Sequence, residues 1–311
     1  MTRRFMVALL VCLTLVSCAI PHEREADEGP MTKLAIPEGE VDAVYEQYRE
    51  IYNAAVEIGD GKPLSVVEGG AVLDIDTAAF GVDGDDEPST LSAEQAAIPS
   101  FDGYPLWFVA LASEADEEGR RVQVFARGHS VDSWMLVASP RIVEGVGLPE
   151  LRVAGEATAV VVPVDDGRGM AASPEEAVEA YAEQLSRLPE APDGGDDFVQ
   201  QMADSYQQNA TLPDVVFTQE WAADPVEYAV RTADGGALVF ATLRRTDRFE
   251  ATSGSSVTWP AGTVQNALAP EGIAGSGSVR FAHQVLLRIP AGSGQVTAIG
   301  QYGGVVGVDQ S

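Results

Sequence analysis

The chain reads as an α+β protein of two duplicated lobes, each with one or two helices packed on an antiparallel sheet, the lobes packed sheet to sheet. Three observations predict this. One segment near the start carries apolar residues at helical spacing, and a second helix later on has a complete start signal. Runs of strand-forming residues separated by glycine-rich turns follow each helical region. Helix and strand patterns then repeat themselves at a nearly fixed interval.

In the first helix, Val41, Val44, Tyr45, Tyr48, Ile51, Tyr52, Ala55 and Ile58 share one face, and Gly59-Asp60-Gly61 ends it. The three tyrosines on that stripe read as core. Residues 64 to 80 fit a short helix or strands equally. Gly81 to Ser100 is acidic and rich in turn formers, so a loop is expected. Strands are expected at Leu106 to Ala112, Arg121 to Arg127, Trp134 to Ala138 and Thr158 to Val162, with Glu118-Gly119 turning between the first pair.

Ser173-Pro174-Glu175-Glu176 opens the second helix, with serine at the cap, proline in the first turn and Glu176 placed to close a capping box. Val178, Tyr181, Leu185 and Leu188 form its apolar stripe, and Pro189 ends it. A third helix runs from about Asp197 to Asn209, with Phe198, Met202 and Tyr206 inward. Strands return at Val226 to Arg231, Ala237 to Arg244, Ser256 to Trp259, Val279 to Ile289 and Gln295 to Tyr302, with hairpin turns at Asp234-Gly235 and Ala291 to Gly294.

The echo is specific in two places. Asp102 to Leu111 and Asp234 to Leu243 share the pattern D-G-x-x-L-x-F-x-x-L at an offset of 132, and Tyr45, Tyr48, Tyr52 and Ala55 fall on Val178, Tyr181, Leu185 and Leu188 at an offset of 133. Leu106 to Leu111 and Leu238 to Ala241 are apolar at every position, so each strand is expected to be buried on both faces. The arrangement expected from this places Trp107 and Val239 between the lobes, and Leu106, Phe108, Leu238 and Phe240 under the helices. The helix-then-meander order resembles the cone-shaped lobes of the nuclear transport factor 2 and cystatin type.

Arg3 and Arg4 precede an apolar run from Met6 to Val16, and Leu15-Val16-Ser17-Cys18 follows. Run length and order are those of a secretory signal peptide. The last four residues resemble the lipobox of bacterial lipoproteins. That resemblance implies cleavage before Cys18 and attachment of a diacylglycerol, such as a palmitate-bearing one, to its sulfur. Residues 1–17 are thus expected as signal peptide, 18–38 as a lipidated flexible tether, 39–168 as the N-terminal lobe and 169–311 as the C-terminal lobe. The whole mature chain resembles uncharacterised actinobacterial lipoproteins, and the expected location is the extracytoplasmic face of the cell membrane.

The net charge of −29 deepens to −31 once Arg3 and Arg4 leave with the leader. A chain so acidic has no basic footprint for nucleic acid and none for an anionic bilayer, which leaves lipid as the means of attachment. Cys12 leaves and Cys18 is acylated, so no thiol remains for a disulfide, a metal or a nucleophile. His129 and His283 lack the spacing of a metal pair, and Asp83, Asp85, Asp86 and Glu87 lack the glycine and distal glutamate of a calcium loop. Neither a G-x-S-x-G elbow nor an S-x-x-K motif occurs. The sequence therefore names no catalytic, cofactor or metal residue. It is consistent with a non-catalytic module that binds an envelope protein or a small ligand, the alternative being a hydrolase or isomerase with an Asp/Glu site in a lobe pocket.

Overall fold

The computed structural model describes residues 32–82, 86–115, 119–154, 158–188, 195–252 and 254–310. The first helix, α1 (Val41–Ile58), forms where its apolar spacing predicts. Val41, Val44, Tyr45, Tyr48 and Ala55 are buried, and Gly59 ends the helix at φ +64°, donating to the Ala55 and Val56 carbonyls. Ile58 is 65% exposed, so the stripe outruns the surface it covers. The ambiguous segment resolves into a 3-10 turn over Lys62–Val66 and a helix α2 (Gly70–Ala79).

Ten strands form one antiparallel sheet. They are β1 (Ser92–Ala97), β2 (Leu106–Ser113), β3 (Arg120–Arg127), β4 (Met135–Ala138) and β5 (Arg141–Ile142) in the first half. In the second half they are β6 (Val215–Ala223), β7 (Tyr228–Arg231), β8 (Ala237–Ala251), β9 (Ser276–Ile289) and β10 (Thr297–Gln310). The order across the sheet is β6-β8-β9-β10-β5-β3-β2-β1, with β7 on β8 and β4 on β3. Each half is a meander read outward from the middle. The last strands of the two halves meet there, pairing Gly300 with Ile142 and Gln301 with Arg141.

Two helices precede each meander. α3 (Pro174–Ser186) begins with the expected capping box: Ser173 Oγ accepts from the Glu176 amide at 3.3 Å, and Glu176 Oε2 accepts from the Ser173 amide at 3.0 Å. α4 (Asp197–Ala210) is capped by Asp196, which accepts from the Val199 amide at 3.1 Å. α1 packs on Leu106, Phe108, Ala110 and Phe125, and α3 and α4 pack on Val239, Ala241, Leu243, Val285 and Leu287.

The opposite faces of the two halves meet in one cluster that joins Trp107, Val109, Leu111 and Val124 to Val230, Leu238, Phe240 and Leu286. The Trp107 and Tyr228 rings lie 5.5 Å apart across it. The halves therefore face each other sheet to sheet, as expected, and are also continuous through the short β5. Trp107, 4% exposed, lies between the halves as the sequence predicts, and Leu106 and Phe108 lie under α1. The second half is displaced by one residue. Val239 lies under α3 and α4, while Leu238 and Phe240 face the seam. A strand's faces alternate with every residue, so an alignment wrong by one inverts them all. At the helix offset of 133, Leu106 matches Val239 and Phe108 matches Ala241, and the faces agree.

Other boundaries move as well. The expected tether, residues 18–38, overlaps the fold at its end. Lys33–Leu34 pairs with Ser100–Phe101, and Ala35 and Ile36 are buried, so residues 33–36 belong to the fold; residues 18–31 lie outside the described residues. The expected loop before Ser100 contains β1. Residues 226–227 precede β7, and β6, which the sequence reading lacks, lies at the far edge. β8, β9 and β10 run longer than expected: β8 continues to Ala251 along β6, β9 starts at Ser276 opposite Glu250, and β10 continues to Gln310 along β9. Among the described residues, no helix is long and apolar enough to cross a membrane.

Candidate functional site

Cys18, Asp83 and Asp85 lie outside the described residues. Asp86 accepts from the Gly81 amide at 2.7 Å, a local turn contact. His129 sits exposed at a strand end with Ser130 and Asp132, its ring 6.4 Å from Tyr104. His283 is buried under α4 between Phe198, Trp221 and Phe281, and desolvation pushes its pKa down to about 3. The two histidines lie in different halves.

A buried acid pair, which sequence reasoning missed, lies where α1, α2 and β10 converge. The chain at Val67 to Gly69 runs beside β4: the Leu136 amide donates to the Val67 carbonyl at 2.7 Å, and the Gly69 amide to the Leu136 carbonyl at 3.0 Å. This bridge carries Glu68 inward, where it is 0% exposed. Tyr48 Oη donates to Glu68 Oε1 at 2.9 Å, and Tyr302 Oη donates to Asp76 on α2. Burial, then the neighbouring Asp76 charge, pushes the Glu68 carboxyl up to about 9. Asp76 is raised too, chiefly by burial, though Tyr302, Glu68 and Arg121 act against the rise. At neutral pH Glu68 thus holds its proton, and among the described residues its Oε2 has no hydrogen-bond partner. Tyr48, Tyr52, Asp76, Arg121, Gln123 and Tyr302 border an adjoining cavity of about 100 Å³. That is below the roughly 300 Å³ at which small-molecule sites begin. The pair can hold a proton, and the space beside it is smaller than a typical small-molecule site.

The second half holds its own buried charges. Arg245 and Asp247, both on β8 and facing α4, form an ion pair at 3.1 Å. The Arg245 guanidinium lies 3.7 Å from the Phe281 ring centre, and its Nη1 lies 3.3 Å from the Met202 sulfur. Gln219 links this pair to Trp221, donating to Asp247 Oδ1 at 2.8 Å and accepting from Trp221 Nε1 at 2.8 Å. The expected strand stops at Arg244, one residue short of the pair. An extension of the alternation through Thr246 and Arg248 would have found it: Arg245, Asp247 and Phe249 are inward, while their neighbours are less buried.

The third feature is a cleft of about 300 Å³ where the halves face each other. Tyr228, Phe240, Val137 and Pro225 give it apolar walls, and the start of α2 at Gly70 and Ala71 closes one side. Arg244 stands at its rim, held by Asp74 of α2 and by Asp224, each at 2.9 Å. Gln284 supplies the floor, donating to the Val137 carbonyl at 2.7 Å and accepting from the Ser139 amide at 3.0 Å. Apolar walls with a few placed polar groups are the usual make-up of a ligand site.

Among known proteins, the chain is 28% identical to an uncharacterised lipoprotein of Streptomyces avermitilis, over 81% of this chain and 77% of that one. It is 28% identical to an uncharacterised lipoprotein of Streptomyces coelicolor, over 96% of this chain and 92% of that one. No solved structure matches it. The family described as domain of unknown function DUF8094 matches residues 33–310, which is the whole two-halved sheet with its helices, and the chain belongs to that family.

Proposed function

We propose that this chain is a lipid-anchored protein on the extracytoplasmic face of the cell membrane, held by Cys18, and that its folded part is a non-catalytic binding module. The observation that carries the binding reading is the cleft between the two halves, with apolar walls, a rim arginine and one side formed by α2. The lipobox residues and the names of the Streptomyces relatives support the anchor. The mirrored strand order and the offset of 133, which matches buried positions in both halves, support duplication of an ancestral helix-and-meander unit. The ligand is a small molecule or a side chain of an envelope protein. Acid-based chemistry at Glu68 and Asp76 is the second reading, and the small cavity beside the pair weighs against it.

Two variants test this reading. Cys18→Ser removes the acylated sulfur, and incorporation of a fatty-acid probe into the protein should vanish; unchanged labelling refutes the anchor. Thr242→Trp places an indole in the cleft, where Thr242 is part of the wall. Native mass spectrometry of intact protein taken from its own membrane should show a bound molecule or partner that this variant lacks. Full retention of every adduct by the variant refutes the cleft as the site.

A further inference from the structure

A second opening lies on the same inner face, near the outer edge of the first half, and it shares no wall residue with the cleft under α2. It is a groove of about 590 Å³. Val109, Leu111, Val122 and Leu238 form its floor, and Leu148 and Leu151 of the segment after β5 form its outer wall. The floor belongs to the cluster in which the halves meet, so the groove is a part of that core left open to solvent. Val153 on its wall is 58% exposed.

The mouth of the groove carries a cation. Arg120 opens β3 and is exposed, and among the described residues no ion pair or hydrogen bond engages it, although Glu94 and Glu150 stand on the same rim. In a chain of net charge −29, a guanidinium beside an apolar groove stands against the prevailing charge. It supplies a cationic partner for an anion whose remainder is apolar. The neighbouring strand argues against a peptide in this place. β1 is an edge strand with a bulge between Ala93 and Gln95, which leaves Glu94 as the extra residue. Bulges and charges on an edge strand obstruct pairing with another chain.

We propose that this groove binds one free long-chain fatty acid, its hydrocarbon along Leu111, Val122, Leu148 and Leu151 and its carboxylate at Arg120. The volume falls inside the range of about 300 to 1,000 Å³ typical of small-molecule sites. Fatty acid in the adjoining membrane is the source.

The test uses the full chain with Cys18→Ser, so that the protein carries no lipid of its own, in detergent-free buffer. Saturated fatty acids of ten to sixteen carbons displace the fluorescent fatty acid cis-parinarate. Affinity should rise about fourfold per added methylene until the groove is full. Arg120→Glu should weaken hexadecanoate about tenfold and leave hexadecanol of the same length unchanged. Leu148→Asp should weaken both more than tenfold. Val153→Asp, at an exposed position, should weaken both while melting with the parent, which keeps the test valid if Leu148→Asp fails to fold. Thr242→Trp, in the separate cleft, should bind hexadecanoate as the parent does. Any of four results overturns the proposal: no displacement by any chain length, affinity independent of chain length, loss of binding in Thr242→Trp, or a concentration-dependent dimer that Val153→Asp dissolves without any fatty-acid binding. The last would assign the groove to a second copy of this chain.

Discussion

Glu68 is the residue at which charge and stability are most sharply linked. In the folded chain its carboxyl is fully buried and pushed up to about 9, while an unfolded glutamate titrates near 4.5. Between those values the native state holds a proton that the unfolded state releases. Stability therefore falls as pH rises across that window, by about 1.4 kcal/mol per pH unit, and is fully present only below the unfolded value. At pH 7 the accumulated loss is about 3 kcal/mol. Glu68→Gln removes the titration and keeps the shape, and the amide oxygen can still accept from Tyr48. The variant should thus be more stable than the parent at pH 7, by up to about 3 kcal/mol. The two should converge near pH 4.5 and diverge further at pH 8. Urea titrations of both proteins from pH 4.5 to 8.5 measure the difference, and the titration of groups that do not neighbour Glu68 cancels from it. A Glu68→Gln protein less stable than its parent at pH 7, or a difference that does not change with pH, would refute a protonated Glu68.

Two further outcomes follow from the second half. Asp196 accepts from Tyr181 Oη at 2.8 Å, from the Val199 amide at 3.1 Å and from the Ala298 amide at 2.6 Å, so Asp196→Ala should cost about 2–4 kcal/mol in urea unfolding through loss of a cap and two half-buried contacts. Arg245→Met should cost about 3–5 kcal/mol because it strands Asp247 at 1% exposure, whereas adding Asp247→Leu should recover most of that loss; equal stability of the single and double variants would show that the ion pair does not behave as a coupled unit.

The elements that a sequence can show were those whose periodicity is complete within themselves. α1 and α3 carried full apolar stripes, and α3 its cap, so both were legible to within a residue or two. β2, β3, β8 and β9 were legible because their apolar runs are long. β1, with the sequence Ser-Ala-Glu-Gln-Ala-Ala, was not: an edge strand with one paired side carries little apolar pattern, and its burial is set by its neighbour β2. β6, at the opposite edge, differs: its burial alternates along its length, but Gln219 stands among the inward positions and interrupts the apolar pattern. The acid pair was invisible because Glu68 and Asp76 lie in a segment without a clear period. Their burial follows from the bridge between Glu68 and Leu136 and from Tyr302, which is 226 residues away from Asp76. Asp247 shows a different kind of failure. Its alternation was present in the sequence, but charged residues from Arg244 to Arg248 ended the expected strand before the inward face could be counted.

Gln284 shows how the halves are joined beyond apolar contact. A chain of hydrogen bonds begins at Tyr45 on α1, whose Oη donates to Gln123 Oε1 at 2.8 Å. Gln123 Nε2 donates to Ser139 Oγ at 3.0 Å, the Ser139 amide donates to Gln284 Oε1 at 3.0 Å, and Gln284 Nε2 returns to the Val137 carbonyl at 2.7 Å. Gln284 belongs to β9, the others to the first half. Its amide therefore acts as an extra rung between segments 145 residues apart, at the place where β4 has left the ladder to β5. Gln284→Leu keeps the volume but leaves a buried amide and a buried carbonyl without partners. Unpaired groups of that kind cost about 1–3 kcal/mol each. The loss should be local before it is global. Amide exchange at Ser139 should accelerate at least tenfold, while amides in α3 and in the β8–β9 ladder exchange no faster than the drop in overall stability requires. Gln284→Glu is the control: it can still accept from Ser139, so Ser139 should stay protected relative to the leucine variant. Equal acceleration throughout the chain in Gln284→Leu would mean that the halves open only as one unit, with Gln284 contributing no separate joint between them.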